Sequence, residues 1–440
     1  MIHQLSHKIR AQITLFSGKL SSGLTKPRQR FVDEMIYGLT AGQSLMLSEI
    51  SRSLNESIPL LKTENRLCRN LGKKDLCFHM QRALASSQSH HIKEESLLVL
   101  DLSDISKKYA EHMQYLAKIR DGSEGVLANG YWTCQVLGVE GDKLIPLYGH
   151  LYSSIAPDFR SENHEIFKAI QFVSHFTHTK GTWVIDRGGD RMALFDYFLD
   201  HAQDFIVRLT QKRHLYKGPK SLNKKDVLDL ARTCPLQEKR EIIRQKNGQD
   251  YTITLRYGKR LVRLPERPDR PLWLVVVHGY GEKPLMILTT KDKPAWDIVE
   301  AYFSRWRIEE TIRFAKQAFD MENIRLLTYR RLQNMYALLM AALSFNMTYL
   351  SLKTKLQVIF TKALQATKTL FGVPDFHYYT LPQALLMSSV EPQNLIQSLL
   401  TIHITYNHNS FKKLGKVLSQ KLSRIFEFLI GHMRFNQVTS

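Results

Sequence analysis

Three carboxylates occupy positions where they could bind a metal ion. Asp101 and Asp186 each end a short apolar run with the composition of a buried strand. In an open α/β sheet, the carboxyl ends of the strands are where catalytic groups gather. Glu309 lies within a predicted helix over 295–319. Because Mg²⁺ prefers hard oxygen ligands, three such carboxylates could serve two-metal phosphoryl transfer.

The segment around Glu309 carries three more polar side chains at regular spacing. Tyr302, Arg305, Glu309 and Lys316 follow the pattern Y-x2-R-x3-E-x6-K. On a helical wheel of ~100° per residue, they fall within an arc of about 60°. Such a face suits a phosphodiester, with the carboxylate on a cation and the other three groups on phosphate oxygens. The alternative is an exposed helix face with i,i+4 ion pairs.

Two other acids compete with these assignments. Asp104 follows Asp101 by three residues, and Asp190 follows Asp186 by four. The strand-end position favours Asp101 over Asp104. The glycines that follow Asp186 favour it over Asp190, since they break the chain directly after the apolar run.

The elements that must position these residues follow the order β-β-β-α-β-α-β. Three strands in succession followed by alternation predict an α/β ribonuclease H-like catalytic domain with a mixed sheet. The strands are predicted at 97–101, 130–139, 143–151, 182–186 and 204–209, and the helices at 165–176 and 191–202.

The sequence outside this pattern predicts further units. A β-rich insertion with an Asn247-Gly248 hairpin turn interrupts the catalytic domain, and helical domains flank it. The predicted division is a helical domain at 1–95 that binds DNA ends, the first part of the catalytic domain at 96–210, the insertion at 211–291, the final catalytic helix region at 292–328, and a basic helical domain at 329–440 for DNA contact or dimerisation.

The charge of the chain points to a polyanionic partner. Lys and Arg number 62 against 41 Asp and Glu, which gives a formal net charge of +21 over 440 residues. The longest apolar stretch, 335–352, falls short of the ~20 residues that span a bilayer, so we expect DNA and no membrane. Four cysteines match no zinc spacing, and with no secretory signal in the sequence we expect a cytoplasmic protein.

The spaced motif around Glu309 resembles that of a known family. Tyr302, Arg305, Glu309 and Lys316 match without a gap the YREK signature of the DDE insertion-sequence transposases of the insertion-sequence-four group. Asp186-Arg187-Gly188 resembles the second-aspartate motif of that family. Asp101-Leu102-Ser103-Asp104 resembles the first, with Ser103 where threonine is frequent, and 204–208 resembles the strand before the β insertion.

The resemblance implies a site and an activity. Asp101, Asp186 and Glu309 would be the metal-binding triad for two Mg²⁺ ions, with Mn²⁺ as a substitute. Tyr302, Arg305 and Lys316 would contact DNA phosphates. A homodimer would pair two terminal inverted repeats of double-stranded DNA, cut them free, often through hairpins, and join them to target DNA. The protein would be bacterial and associated with the nucleoid when bound to DNA.

Two other functions stay open on the sequence alone. A ribonuclease H-like structure-specific nuclease would use the same carboxylates without needing the Tyr-Arg-Lys set or a large insertion. A domesticated DNA-binding copy would need no carboxylates, and clustered acids without metal repel DNA.

Overall fold

The computed structural model describes residues 2–350 except 75, 123–124 and 247–248. The chain begins with five helices, in which apolar residues recur at helical spacing. In α2, for example, Phe31, Met35 and Leu39 are buried at i, i+4 and i+8. The helices are α1 (Ile2–Leu20), α2 (Lys26–Gly42), α3 (Leu47–Leu54), α4 (Leu60–Leu71) and α5 (Leu76–Gln88).

The middle of the chain has the predicted α/β pattern. Its elements are β1 (Leu97–Ser106), β2 (Ala117–Arg120), β3 (Leu127–Glu140), β4 (Lys143–Tyr152), α6 (Glu162–Thr177), β5 (Thr182–Ile185), α7 (Met192–Asp200) and β6 (Phe205–Arg208). Strand β3 pairs antiparallel with β1 and β4, while β1, β5 and β6 run parallel. The resulting order β4-β3-β1-β5-β6 is a mixed sheet that fits the ribonuclease H-like class.

The β-rich segment that follows extends this same sheet. Strand β12 pairs antiparallel with β6, and β11 and β10 continue outward from it. Strand β9 forms a ribbon with β10 whose register joins Lys246 to Gln249, and the predicted Asn247-Gly248 turn between them lies outside the described residues. The elements are β7 (His214–Lys217), β8 (Lys224–Asp226), α8 (Val227–Arg232), β9 (Glu238–Lys246), β10 (Gln249–Leu264), β11 (Arg267–His278) and β12 (Leu285–Thr289).

Up to residue 350, where the described part of the chain ends, it continues with α9 (Ala295–Phe303), α10 (Trp306–Ala318) and α11 (Tyr329–Ser344). The prediction of one unbroken helix over 295–319 is wrong, because the chain turns between α9 and α10. The Ser304 hydroxyl donates to the Glu300 carbonyl, and the N–H groups of Arg305, Arg307 and Ile308 bond three residues back instead of four. Tyr302 therefore belongs to α9 and Glu309 to α10, so no single helical wheel relates them.

Apolar residues pack on both faces of the sheet because successive side chains of a strand point to opposite faces. On one face, residues such as Leu98, Trp183 and Val207 pack with α6 and α7. On the other face, Val99, Val184 and Ile206 pack with α9 and α10. A β5 strand buried on both sides in this way explains its continuous apolar sequence.

A third core joins the first five helices to α11. Nearly every residue of α11 is buried, which accounts for its apolar sequence. Over the described part of the chain, no helix combines the length and apolarity needed to cross a membrane. Of the predicted C-terminal domain, residues 351–440 lie outside the described residues, and the predicted domain boundaries stay predictions.

Candidate active site

Asp101 and Asp186 lie at the same level on adjacent parallel strands. The register pairs Val99 of β1 with Val184 of β5, so the aspartates two residues further along face each other on the α9 and α10 side of the sheet. Strand β5 ends before Asp186 as predicted, but the expectation that β1 ends at Asp101 is wrong. Strand β1 continues to Ser106 because the longer β3 keeps pairing with it.

The surroundings of Asp101 are strongly unfavourable to its negative charge. The pKa of Asp101 is raised to about 7, first by burial and then by the charge of Asp186. Arg305 opposes this shift, and Glu309 adds to it. Asp186 and Glu309 thus both act on Asp101 through space, with the guanidinium of Arg305 among them.

Asp186 is held by the turn that it starts. Its Oδ1 accepts a hydrogen bond from the Gly188 N–H at 2.7 Å. A Cβ at position 188 would lie 2.9 Å from that oxygen, which is closer than such contacts are found. Glycine therefore lets the loop bend back to the carboxylate.

Asp190 has structural partners instead. Its carboxylate accepts from the N–H of Thr210 at 2.7 Å and from the Thr210 hydroxyl at 2.6 Å. Arg213 donates to its other oxygen at 2.7 Å, and the Asp190 side chain is fully buried. These bonds tie the loop after β5 to the segment after β6.

The carboxylate of Glu309 is paired with Arg305, which lies one helical turn earlier in the chain. Arg305 Nη1 donates to Glu309 Oε1 at 2.5 Å, and the Arg305 side chain is buried while that of Glu309 is 30% exposed. Burial lowers the pKa of Arg305, but Tyr302 and Glu309 outweigh it, so the pKa is raised overall. Arg305 Nε and the Tyr302 hydroxyl are buried without a hydrogen-bond partner. Such groups cost ~1–3 kcal/mol when unpaired, which suits a site that receives a ligand.

Lys316 lies further along α10 and contacts a different acid. Its Nζ is 3.2 Å from Asp104 Oδ2, and Asp104 also accepts from the Gly122 N–H at 3.4 Å. Asp104 is buried, so this pair joins β1 to α10. The structure thus brings Arg305 and Glu309 close to Asp101, with Tyr302 beside Arg305, whereas Lys316 is bound by the rival acid.

The present side-chain directions do not bring the three carboxylates into one ligand set. Over residues 2–350 with their gaps, no group of three or more His, Cys, Asp or Glu side chains converges closely enough to hold a metal ion. Glu309 points to Arg305 and Asp186 to Gly188. The four cysteines, Cys68, Cys77, Cys134 and Cys234, are free thiols.

Sequence reasoning missed one residue of this region, Arg208. The register pairs Ile185 of β5 with Val207 of β6, so Arg208 follows at the level of Asp186. Burial raises the pKa of Tyr302, and the charges of Arg305 and then Arg208 oppose that shift. The sequence did offer one signal for Arg208, because it ends the apolar strand that follows the strand of Asp186.

A family model described as the transposase DDE domain matches residues 156–345. The chain carries a DDE transposase domain and is an enzyme of that class. The matched segment contains Asp186 and Glu309, while Asp101 precedes it. No curated protein matches this transposase chain. Among solved structures it is similar to a piggyBac transposase in a synaptic complex with hairpin DNA, with a TM-score of 0.42 and 12% identity over 84% of this chain and 81% of that one.

Proposed function

We propose that this transposase mobilises an insertion sequence by binding its terminal inverted repeats, cutting the DNA and joining it to a target. The observation that carries the proposal is the arrangement of Asp101, Asp186 and Glu309 around one guanidinium at the carboxyl edge of the sheet. The excess of basic residues suits a long DNA substrate. By its YREK spacing we assign the enzyme to the insertion-sequence-four group.

In this proposal the three carboxylates bind divalent metal ions, two Mg²⁺ or in their place Mn²⁺. DDE transposases as a class use divalent metal ions, which activate the attacking oxygen and stabilise the leaving one. The fit rests on charge, since burial first and then the charge of Asp186 raise the pKa of Asp101 to about 7, so its negative charge is disfavoured without a cation. Glu309 would leave Arg305 to join the two aspartates.

The polar groups beside the carboxylates would hold the DNA phosphate. Arg305 Nε and the Tyr302 hydroxyl are buried donors without partners, and a phosphate oxygen would satisfy them. When Arg305 turns to phosphate, its bond to Glu309 is released for metal binding. Lys316 would exchange Asp104 for a phosphate of the same DNA end.

The remaining parts of the proposal concern assembly. Two copies would pair the two DNA ends in a synaptic complex, with the helical segments and the β insertion contacting DNA outside the site. Cleavage would proceed through a hairpin on the DNA end. The enzyme would act in the bacterial cytoplasm, at the nucleoid.

The test compares two neighbouring substitutions on α10. With Mg²⁺ and DNA that carries the element's own ends, the wild-type protein should cut at the terminal nucleotide and join that end to a target. Glu309→Gln should lower cleavage on the order of 10³-fold, whereas Glu310→Gln, on the exposed side of the same turn, should not. Gel analysis of labelled ends measures both products.

Two results would contradict the proposal. Full cleavage by Glu309→Gln would remove the triad assignment. Cleavage without joining, on structured DNA that lacks the element's ends, would indicate a nuclease.

A further inference from the structure

Three neighbouring parallel strands place polar side chains in one row. Val184 of β5 pairs with Val99 of β1 on one side and with Ile206 of β6 on the other. All three of these residues are buried against the face that α9 and α10 cover. Because side chains alternate along a strand, the residues two positions further on share that face. They are Asp101, Asp186 and Arg208.

Within the described part of the chain, Arg208 has no acidic partner, in contrast to two other arginines of this region. Arg213 is paired with Asp190, and Arg305 with Glu309. For Arg208, no carboxylate of the described residues forms an ion pair, although the residue is half-buried. A half-buried guanidinium keeps its charge and needs acceptors, so an unpaired one at the edge of an acidic site suits an anionic ligand.

Tyr302 is a polar neighbour of Arg208. The charges of Arg305 and Arg208 both act on the phenol of Tyr302, so it lies between two guanidiniums. Both guanidiniums lie within hydrogen-bonding range of the phenol oxygen, but neither is directed at it well enough to bond, so the phenol oxygen and Arg305 Nε are buried without a partner. Donors from β6, α9 and the start of α10 therefore surround one small volume beside the carboxylates.

We propose that Arg208, the Tyr302 hydroxyl and Arg305 Nε together bind one phosphate group of the DNA, adjacent to the carboxylates. A guanidinium offers parallel N–H donors that match two phosphate oxygens, and the phenol and Nε supply further donors. This inference rests on the proposed function, since DNA is its ligand. It adds a residue from β6 that the YREK spacing does not contain.

The first measurement is the salt dependence of binding to end DNA. Arg208→Gln should weaken binding and lower the slope of log K against log salt by about 1, because one phosphate contact is lost. Arg208→Lys should restore most of that slope, since it keeps the charge. Arg160→Gln, an exposed arginine just before α6 on the sheet face away from α9 and α10, is the matched control and should leave the slope unchanged.

The second measurement locates the phosphate. Neutral methylphosphonates replace the phosphate at the cleaved position and at each neighbouring position in turn. At the position of the bound phosphate, the methylphosphonate should lower the affinity of the wild-type protein. The same methylphosphonate should not lower the affinity of Arg208→Gln any further, because that variant has already lost the contact. Single-turnover cleavage by Arg208→Gln should fall on the order of 10²-fold, with Arg208→Lys recovering binding more than cleavage.

The outcomes separate this inference from the proposed function. An unchanged salt slope for Arg208→Gln, or additive losses at every methylphosphonate, would overturn the contact even if the wild-type enzyme cuts and joins. A wild-type protein that binds the ends but does not cut them would contradict the proposed function and leave the binding test intact. The melting temperatures of both Arg208 variants show whether they fold. If the glutamine variant is unfolded, the test rests on cleavage by the lysine variant, which keeps the charge and should still cut more slowly than the wild-type protein.

Discussion

Two groups of buried or half-buried acids lie in this molecule, and their charges are compensated in opposite ways. Among the N-terminal helices, Glu34 and Glu56 each accept from both Arg30 and Arg66. Two acids and two bases thus form a closed network. At the edge of the sheet, Asp186 and Glu309 both act on Asp101, and Arg305 is the guanidinium paired with one of these acids, Glu309.

The pKa shifts record this difference. Burial raises the pKa of Glu56, but bonds from Thr63 and Arg66 outweigh it, and the pKa is lowered overall. Burial and neighbouring acids raise the pKa of Asp101 to about 7. The helical network contributes to the fold by balancing its charges. The sheet edge leaves negative charge uncompensated, which is the property that a metal site requires.

The largest expected effect comes from neutralising Asp101. Asp101→Asn should lower strand cleavage on the order of 10³-fold and yet stabilise the metal-free protein at pH 8. The unfolded carboxyl ionises above pH 3.8 while the folded one keeps its proton to about pH 7, so wild-type stability falls across that window. The gain on substitution is ~4 kcal/mol at most above pH 7 and absent below pH 4.

Urea unfolding at pH 4 and pH 8 without divalent metal measures this gain. Asp229→Asn, on the exposed surface of α8, is the control. Equal destabilisation of Asp101→Asn at both pH values would contradict the view that the site is strained by its charge.

Breaking the network of Glu34, Glu56, Arg30 and Arg66 should lower the stability of the protein and leave cleavage unchanged. Glu34→Gln leaves Arg66 and Arg30 short of an acceptor next to a buried position, so the free energy of unfolding should fall by about 3 kcal/mol. Cleavage per folded molecule should stay at the wild-type level. Denaturant midpoints measure the loss, and Glu49→Gln, from an exposed pair with Arg52, should change them little. A cleavage defect at wild-type stability would place this network in the reaction.

The smallest expected effect tests how finely the sheet edge is arranged. A Cβ in Gly188→Ala would lie 2.9 Å from Asp186 Oδ1 and force the carboxylate to turn. Stability should change by less than ~1 kcal/mol, because only a side chain moves, while cleavage should fall about tenfold. Gly18→Ala, where a Cβ meets open space on α1, is the control. Wild-type cleavage by Gly188→Ala would mean that the direction of this carboxylate is not limiting.

Much of the site could be predicted because it is encoded locally. The apolar run before Asp186 predicts a buried strand ending on a carboxylate, and β5 does end there. The order of strands and helices predicts a ribonuclease H-like sheet, which the pairing of β1, β3, β4, β5 and β6 fits. The enzyme class predicted from the motifs is confirmed by the family match.

Other features depended on contacts between distant segments. The extent of β1 beyond Asp101 is set by the length of its partner β3. Asp104 is paired with Lys316, and Asp190 is bonded to Thr210 and Arg213. These partners lie far from the two acids in sequence.

The sequence by itself determined the chemistry available to this protein: three carboxylates, a spaced Tyr-Arg-Glu-Lys set and a basic chain. The tertiary structure decided which of these groups meet, and it added Arg208 through the register of three parallel strands. The physical reason is that residue type and local periodicity are properties of a short segment. Proximity, burial and the resulting pKa shifts arise only when separate strands and helices pack together.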